Sequence, residues 1–316
     1  MDSADGASTS TKALYFAAIK RDVLKPLGDS PVVEINGDAL ADVFDEIEAR
    51  GAVVQADRTR AAVSAIITWG IRSRRAKGLR QNVCAVLPTR AKSTPRSRGI
   101  SDDEIKALWH ALGAKRERYS KHDAAEPVAL IVRLTWITGC RRTEVAGARI
   151  AELDLKAKRW TIPGNSSLRG RVVRGRTKSG QPKIVPLSGE AIELIERAME
   201  LAGPDAEYLF AANQSATKLP HIDPHSVSRA IARVRINANA ADVHLHDGRA
   251  ACRTWLKDRG YPENVLDAAL GHAGRSVGAR HYEAPSLDFI EKQMRPAMEA
   301  WSAHVARVVG LIREDS

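Results

Sequence analysis

Cysteine is scarce in this chain: Cys84, Cys140 and Cys252 are far apart and form no CxxC pair. That excludes a disulfide framework and a cysteine-built zinc site, so the thiols are expected reduced in a helical core. No run of about 18 apolar residues is present to span a bilayer. The first dozen residues, MDSADGASTSTK, are small and polar, whereas a secretory signal opens with a basic region followed by an apolar one. A cytoplasmic protein with no membrane partner is the expectation. No internal repeat interrupts the 316 residues, a length that suggests two domains with enough chain to bury a core. Acid is in short supply. The 38 Asp and Glu against 49 Lys and Arg leave a formal charge of +11, with a pI near 9.8. Such a balance favours a polyanionic partner, nucleic acid ahead of an acidic membrane surface.

The pattern is mainly helical. Apolar residues recur at helical spacing over 13–24, 38–50 and 56–77, closed by Gly28, Gly51 and Gly78, which makes a small helical domain with arginines on one flank. The segment LPTRAKSTPRSRGIS (87–101) has two prolines, four basic side chains and no acid. It reads as a linker, one that either lies along a phosphate backbone or is simply solvated. Ser101 opens a capping box, SDDE. The segment 126–138, EPVALIVRLTWIT, is apolar nearly all round and should be the buried centre of a second domain. Strands are expected at 159–163, 170–178 and 183–187, the last two joined as a hairpin through SGQP. Helices resume at 189–201, 224–237, 246–259 and 262–270. A further helix begins near Ser286, with Pro296 starting another.

Several polar residues suit chemistry on a phosphodiester. In TGCRRTEVAGA, Glu144 lies three residues after Arg141, where on a helix it can hold that guanidinium in one rotamer; this favours Arg141 over Arg142 as a phosphate ligand. The same RRxE is also the pattern of a surface salt bridge. Between Arg141 and Lys183 twelve basic residues face three acidic ones, a density that phosphate neutralisation explains. Lys178, beside the SGQP turn, could protonate a leaving 5′ oxygen, or be an ordinary solvent-facing charge. HDGR puts His246 and Arg249 one above the other at a helix start, where an anion is favoured. HLHD could instead hold zinc, although no further ligand cluster accompanies it. His272 in LGH and Tyr282, ten residues on, complete the set: imidazole moves protons near neutral pH, and a phenol can attack phosphorus. Each alone reads equally as a cap or as packing.

Taken in order, TGxR, a Lys at a strand turn before VPLS, HxxR, LGH and a Tyr about ten residues later resemble the signature of the tyrosine recombinase, or phage integrase, family. WTIP, RTKSGQPKIVPLS and LDFIEKQMRPAMEAW look most like prophage and genomic-island integrases. The resemblance implies a mainly α fold with a small antiparallel sheet. It divides the chain into a disordered start (1–12), a helical core-binding domain (13–92), a basic linker (93–100), a catalytic domain (101–309) and a tail (310–316). It implies site-specific DNA recombination: Tyr282 forms a 3′-phosphotyrosyl bond, Arg141 and Arg249 clamp the scissile phosphate, Lys178 protonates the 5′ oxygen, His246 is general acid or base, His272 hydrogen-bonds the phosphate, and Glu144 buttresses. Neither cofactor, metal nor ATP is implied. Expected partners are double-stranded DNA carrying attachment or core sites, further copies in a DNA-bound dimer or tetramer, and directionality or DNA-bending factors, in a bacterial or phage-like, nucleoid-associated setting. The C-terminal helix is expected either to pack on its own domain or to dock on a neighbouring subunit. Gly248 departs from the family's usual Leu within HxxR, an exchange expected to loosen that helix start. Island integrases often carry a further N-terminal arm-binding domain; this chain opens almost at the core-binding domain, as a short recombinase or a trimmed one would. Other readings are a type IB topoisomerase, a catalytically silent DNA-binding regulator and a metal-dependent nuclease.

Overall fold

The computed structural model describes residues 9–91, 99–112, 124–168, 171–173, 175–212, 219–240, 242–271 and 287–312. The chain divides into two compact units between Ser97 and Arg98.

In the first unit α1 (Thr9–Asp22), α2 (Leu24–Leu27), α3 (Gly37–Ala49) and α4 (Val53–Arg72) surround a core of Leu40, Phe44, Ile47, Val63, Ile67 and Cys84. The first helix starts at Thr9, inside the polar lead expected over residues 1–12. Asn36 caps α3 by accepting from the Ala39 N–H at 2.9 Å. Arg90, expected on the linker, is folded into this unit. Its Nε lies 3.1 Å from Glu48, its Nη2 pairs with Asp45, its backbone N–H donates to Asp57 at 2.9 Å, and its guanidinium sits over Phe44. With those acids already paired to it, Arg90 is a structural cation, and the phosphate-tracking role read from composition does not extend to it. Residues 92–98 of the linker lie outside the described residues.

The second unit is built around α6 (Glu126–Thr138), in which nine residues from Ala129 to Thr138 are buried, as its all-round apolar pattern requires. Its buried hydroxyls are satisfied within the helix: Thr135 donates to the Ile131 carbonyl at 2.7 Å and Thr138 to that of Leu134 at 2.5 Å. Ahead of it, α5 (Asp102–Ala111) begins at the expected capping box, with Ser101 accepting from the Glu104 N–H and Glu104 accepting from the Ser101 N–H. After it come α7 (Arg142–Ala146), β1 (Leu153–Asp154), β2 (Arg159–Ile162), β3 (Ser166–Leu168), β4 (Arg171–Val173), β5 (Lys183–Pro186), α8 (Gly189–Ala202), α9 (Pro224–Asn237), α10 (Leu245–Asp258), α11 (Glu263–Ala269) and α12 (Leu287–Val308).

The sheet corrects the expected hairpin. β5 pairs antiparallel with β2, Ile162 opposite Lys183, giving the order β1-β2-β5, while β4 pairs with β3 in a separate ribbon. The SGQP turn exists, closed by the Gly180 N–H on the Thr177 carbonyl, but residues 176–178 before it are turn and bend rather than strand. All four residues of β5 are buried, so the strand belongs inside the core sheet beside Trp160 and Ile162.

Pro296 does not restart a helix. α12 runs through it for 22 residues. The proline forfeits one backbone hydrogen bond, but Met294, Ala297, Met298, Trp301 and Val305 keep a single buried face on both sides of it. Burying side chains of this size contributes roughly 1.5–3 kcal/mol each, which outweighs one bond. That face is covered by its own unit, not left for a neighbouring subunit: the Trp301 indole donates to the Trp136 carbonyl at 2.8 Å, and Ser302 meets Ser188 at 2.7 Å. No helix among the described residues is long and apolar enough to cross a membrane. All three cysteines are buried and free.

At Gly248 the space of a larger side chain is already occupied. A Cβ there would lie 2.2 Å from Cδ1 and 2.5 Å from Nε1 of Trp136, whose indole takes the volume a larger side chain would fill. The same indole points its N–H at the Leu245 carbonyl, 3.4 Å away at the start of α10. Trp136 thereby ties α6 to α10 with its side chain and to α12 with its carbonyl.

Candidate active site

The site is made where α6 ends, α7 and α10 begin and α11 ends. Gly139 closes α6 in the left-handed region, φ 61°, which a glycine adopts without strain. Its carbonyl accepts from Arg249 Nη1, and the Leu270 carbonyl accepts from Arg249 Nη2. Arg249 is only 2% exposed. Two backbone carbonyls thus fix the plane of a buried guanidinium.

Arg141 stands just outside α7, not on it. Its backbone is extended (φ −77°, ψ 149°) at the N-cap position, and Glu144 reaches back from the third position of the helix. One oxygen of Glu144 accepts from the Arg141 N–H at 2.9 Å, the other from its Nη1 at 2.8 Å. The expected pairing of the two residues holds, through a cap rather than through neighbouring helical turns. Arg142 donates to Ser228 Oγ on α9 yet lines the same cavity as Arg141, against the expectation that only one of the two neighbours would face a given pocket, because Arg141 sits at the extended N-cap rather than on the helix.

Lys183 is the functional candidate that sequence reasoning missed. From β5 its Nζ comes 3.4 Å from Glu144 and 3.3 Å from Cys140 Sγ, with the residue 5% exposed. The sequence offers no more than the apolar residues Ile184, Val185 and Leu187 beside it; the need for a partner follows from the burial that the structure shows, because a buried ammonium needs one. Glu144, fully buried, is therefore held between two cations. Although burial itself works against ionisation, the Lys183 charge and the bonds from Arg141 keep its carboxyl below the usual range.

His246 projects from the first turn of α10 and is exposed. Partial burial, then the charges of Arg249 and Arg141, lower its pKa below the ordinary imidazole value. It is neutral at pH 7 and can accept a proton. His244, the residue set aside in favour of His246, caps α10, and its backbone N–H donates to Asp247 at 2.8 Å. Among the described residues no group of three His, Cys, Asp or Glu could hold a metal ion.

Arg141, Arg142, His246 and Arg249 line one cavity of about 570 Å³. Arg141, Lys183 and Arg249 are three cations against the single carboxylate of Glu144. Burial and the neighbouring Arg141 charge lower the Arg249 pKa. A group that never deprotonates in practice is thus held at an electrostatic cost that an anion beside it would relieve. Lys178 is exposed in the turn before β5 and does not line this cavity. His272 and Tyr282 lie outside the described residues.

The dense basic stretch from 141 to 183 is partly structural. Arg176 pairs with Glu152, Arg149 with Glu207 at 2.9 Å, and Arg159 with Asp288 at 3.0 Å and Glu291 at 2.5 Å. Those cations are balanced within the fold, which narrows the phosphate-neutralising reading to the remaining ones.

The phage integrase family matches residues 98–286, a span that includes all six candidate residues, and the phage integrase central domain matches residues 2–84. The chain belongs to the phage integrase family. Among its integrase relatives, the prophage integrase IntA of Escherichia coli K12 is 25% identical over 290 residues, which cover 91% of this chain and 63% of IntA. The chain therefore spans less than two-thirds of that relative. Two solved integrases share the fold. The Tn1549 transposon integrase in complex with transposon right end DNA has a TM-score of 0.64 at 15% identity, covering 92% of this chain and 94% of that one. A lambda integrase dimer bound to a COC′ core site has a TM-score of 0.62 at 16% identity, covering 89% and 91%. The mainly helical architecture with its small antiparallel sheet is thus that of an integrase.

Proposed function

We propose that this integrase-family chain is a site-specific DNA recombinase that cuts and rejoins strands through a 3′-phosphotyrosyl intermediate. The observation that carries the reading is the cavity in which Arg141, Arg142 and Arg249 stand beside the imidazole of His246, with Glu144 behind Arg141 shared with Lys183. A phosphodiester brings one negative charge, and more gathers on its non-bridging oxygens as a nucleophile adds. Cations already held by carbonyls and by Glu144 stabilise that state without reorganising. In the proposed step Tyr282 Oη bonds to phosphorus and its proton passes to His246. The P–O5′ bond breaks, and the 5′ oxygen takes a proton from Lys178. His272 hydrogen-bonds the phosphate. A 5′ hydroxyl from a partner strand then attacks the phosphotyrosine and reverses the step. One phosphoester is exchanged for another throughout, so neither ATP nor an added metal ion is called for. Each copy cuts one strand, so exchange between two duplexes requires four cuts and an assembly of several copies on DNA.

The direct test is incubation with nicked suicide DNA in the presence of EDTA, followed by a denaturing gel. The expected product is a protein–DNA adduct on the 3′ end. Binding without adduct on attachment-site DNA would instead favour a silent DNA-binding regulator, and cleavage abolished by EDTA a metal-dependent nuclease.

The pH dependence follows from the His246 shift. Its neutral form persists to lower pH than that of an ordinary histidine, so kcat/KM for suicide cleavage should hold as pH falls toward about 6.5 and decline only below it. In His246→Gln that acid limb should vanish along with most of the rate. A limb centred above pH 7, or one unchanged in the variant, would remove His246 from the proton transfer.

A further inference from the structure

The cavity extends well beyond the groups that clamp one phosphate. Its 570 Å³ falls within the range that accommodates an entire small ligand. One wall is a single face of α9: Ser228, Ile231, Ala232 and Arg235, at positions i, i+3, i+4 and i+7. Ser228 and Arg235 stand about 10 Å apart along that helix. Arg142 reaches this wall from α7 and is held there by Ser228 Oγ. At the far end Arg235 Nη1 donates to the Val243 carbonyl at 3.0 Å and lies 3.4 Å from His244 Nδ1, while its Nε is buried without a hydrogen-bond partner. Among the described residues no carboxylate pairs with either guanidinium, in contrast to Arg149, Arg159 and Arg176. Two arginines positioned by a hydroxyl, a backbone carbonyl and an imidazole, with no carboxylate beside them, keep their charge for a ligand, and a guanidinium suits phosphate oxygens in particular.

We propose that Arg142 and Arg235, positioned by Ser228 and His244, form a second phosphate subsite that grips a phosphodiester flanking the scissile one on the same strand. The inference rests on the recombinase reading for its choice of ligand. Its work is to set register: with a neighbouring phosphate seated, the reacting one is presented to Arg141 and Arg249 in a fixed place. Arg142 and Arg235 act as positioning residues, since neither touches the reacting atoms.

The test pairs protein variants with DNA carrying a single neutral methylphosphonate at each phosphate flanking the nick. On unmodified DNA, Arg142→Ala should cleave roughly ten- to a hundredfold more slowly and lower the slope of log affinity against log salt by about one. On DNA neutralised at one particular flanking phosphate, wild type should suffer the same loss, and the variant should lose little more. Ser228→Ala, which keeps the charge but frees it, should show a smaller loss at the same phosphate and guards against a folding defect in the arginine variant. Equal losses at every neutralised position, or wild-type cleavage and salt slope in Arg142→Ala, would overturn the subsite. If wild type forms no adduct at all, the recombinase reading fails first. Equilibrium binding to the same duplexes still decides the subsite, because the position-specific loss and the salt slope need no chemistry.

Discussion

Arg249→Lys is expected to slow strand cleavage by roughly a hundred- to a thousandfold while leaving DNA affinity within about threefold. The charge is kept, so the counterions released on binding are nearly unchanged. What is lost is shape. The guanidinium donates Nη1 to Gly139 and Nη2 to Leu270, which fixes its plane. A lysine ammonium at the same depth can satisfy one carbonyl or point at the phosphate, without holding both carbonyls. Single-turnover cleavage of suicide DNA beside equilibrium binding separates the two effects. A rate within threefold of wild type would mean that charge alone suffices, and that the carbonyl clamp has no catalytic consequence.

Gly248→Leu should destabilise the second unit by about 3 kcal/mol, at the upper end of overpacking costs, a fall of roughly 6–12 °C in Tm. The new Cβ alone would overlap Trp136 Cδ1 at 2.2 Å, and moving the indole gives up its contact with the Leu245 carbonyl. Trp136→Ala on its own should cost roughly 3–5 kcal/mol. Because the two side chains compete for one space, the double variant should be more stable than the sum of the singles by at least about 1 kcal/mol. Thermal melts of the four proteins measure this, and additive effects would show that the two positions do not share a volume. The space beside Gly248 is therefore filled by an indole from α6, a packing across two helices that a motif confined to HxxR does not reveal.

That case marks the boundary of what the residues alone convey. The apolar pattern of 126–138, the Ser101 capping box and the pairing of Arg141 with Glu144 follow from spacing and chemistry, and the structure has them, whereas the meeting of Arg141 and Arg249 is implied by the resemblance alone. The partner of β5 does not follow. Gly180 and Pro182 signal a turn at the right place, but which strand β5 joins is decided by the burial of all four of its residues, a tertiary demand. Pro296 is a local signal overridden by a buried face on both sides of it. Lys183 and Arg90 look like solvent-facing cations in the sequence because their acids, Glu144 for one and Asp45 and Glu48 for the other, lie 39 to 45 positions away. Arg142 is set aside in the sequence on the assumption that two helical neighbours diverge, but Arg141 is an extended N-cap residue and both line one cavity. Where Arg142 points, toward Ser228 on α9, becomes visible only once α7 and α9 are side by side.

The account turns on Tyr282 as the group that attacks phosphorus. Proteolysis of the suicide-DNA adduct, followed by mass spectrometry of the nucleotide-bearing peptide, reads that residue directly. The account predicts the nucleotide on the phenolic oxygen of Tyr282 and no adduct from Tyr282→Phe, with that variant still binding the same DNA. A nucleotide found on any other side chain, or an adduct that persists in Tyr282→Phe, would contradict it.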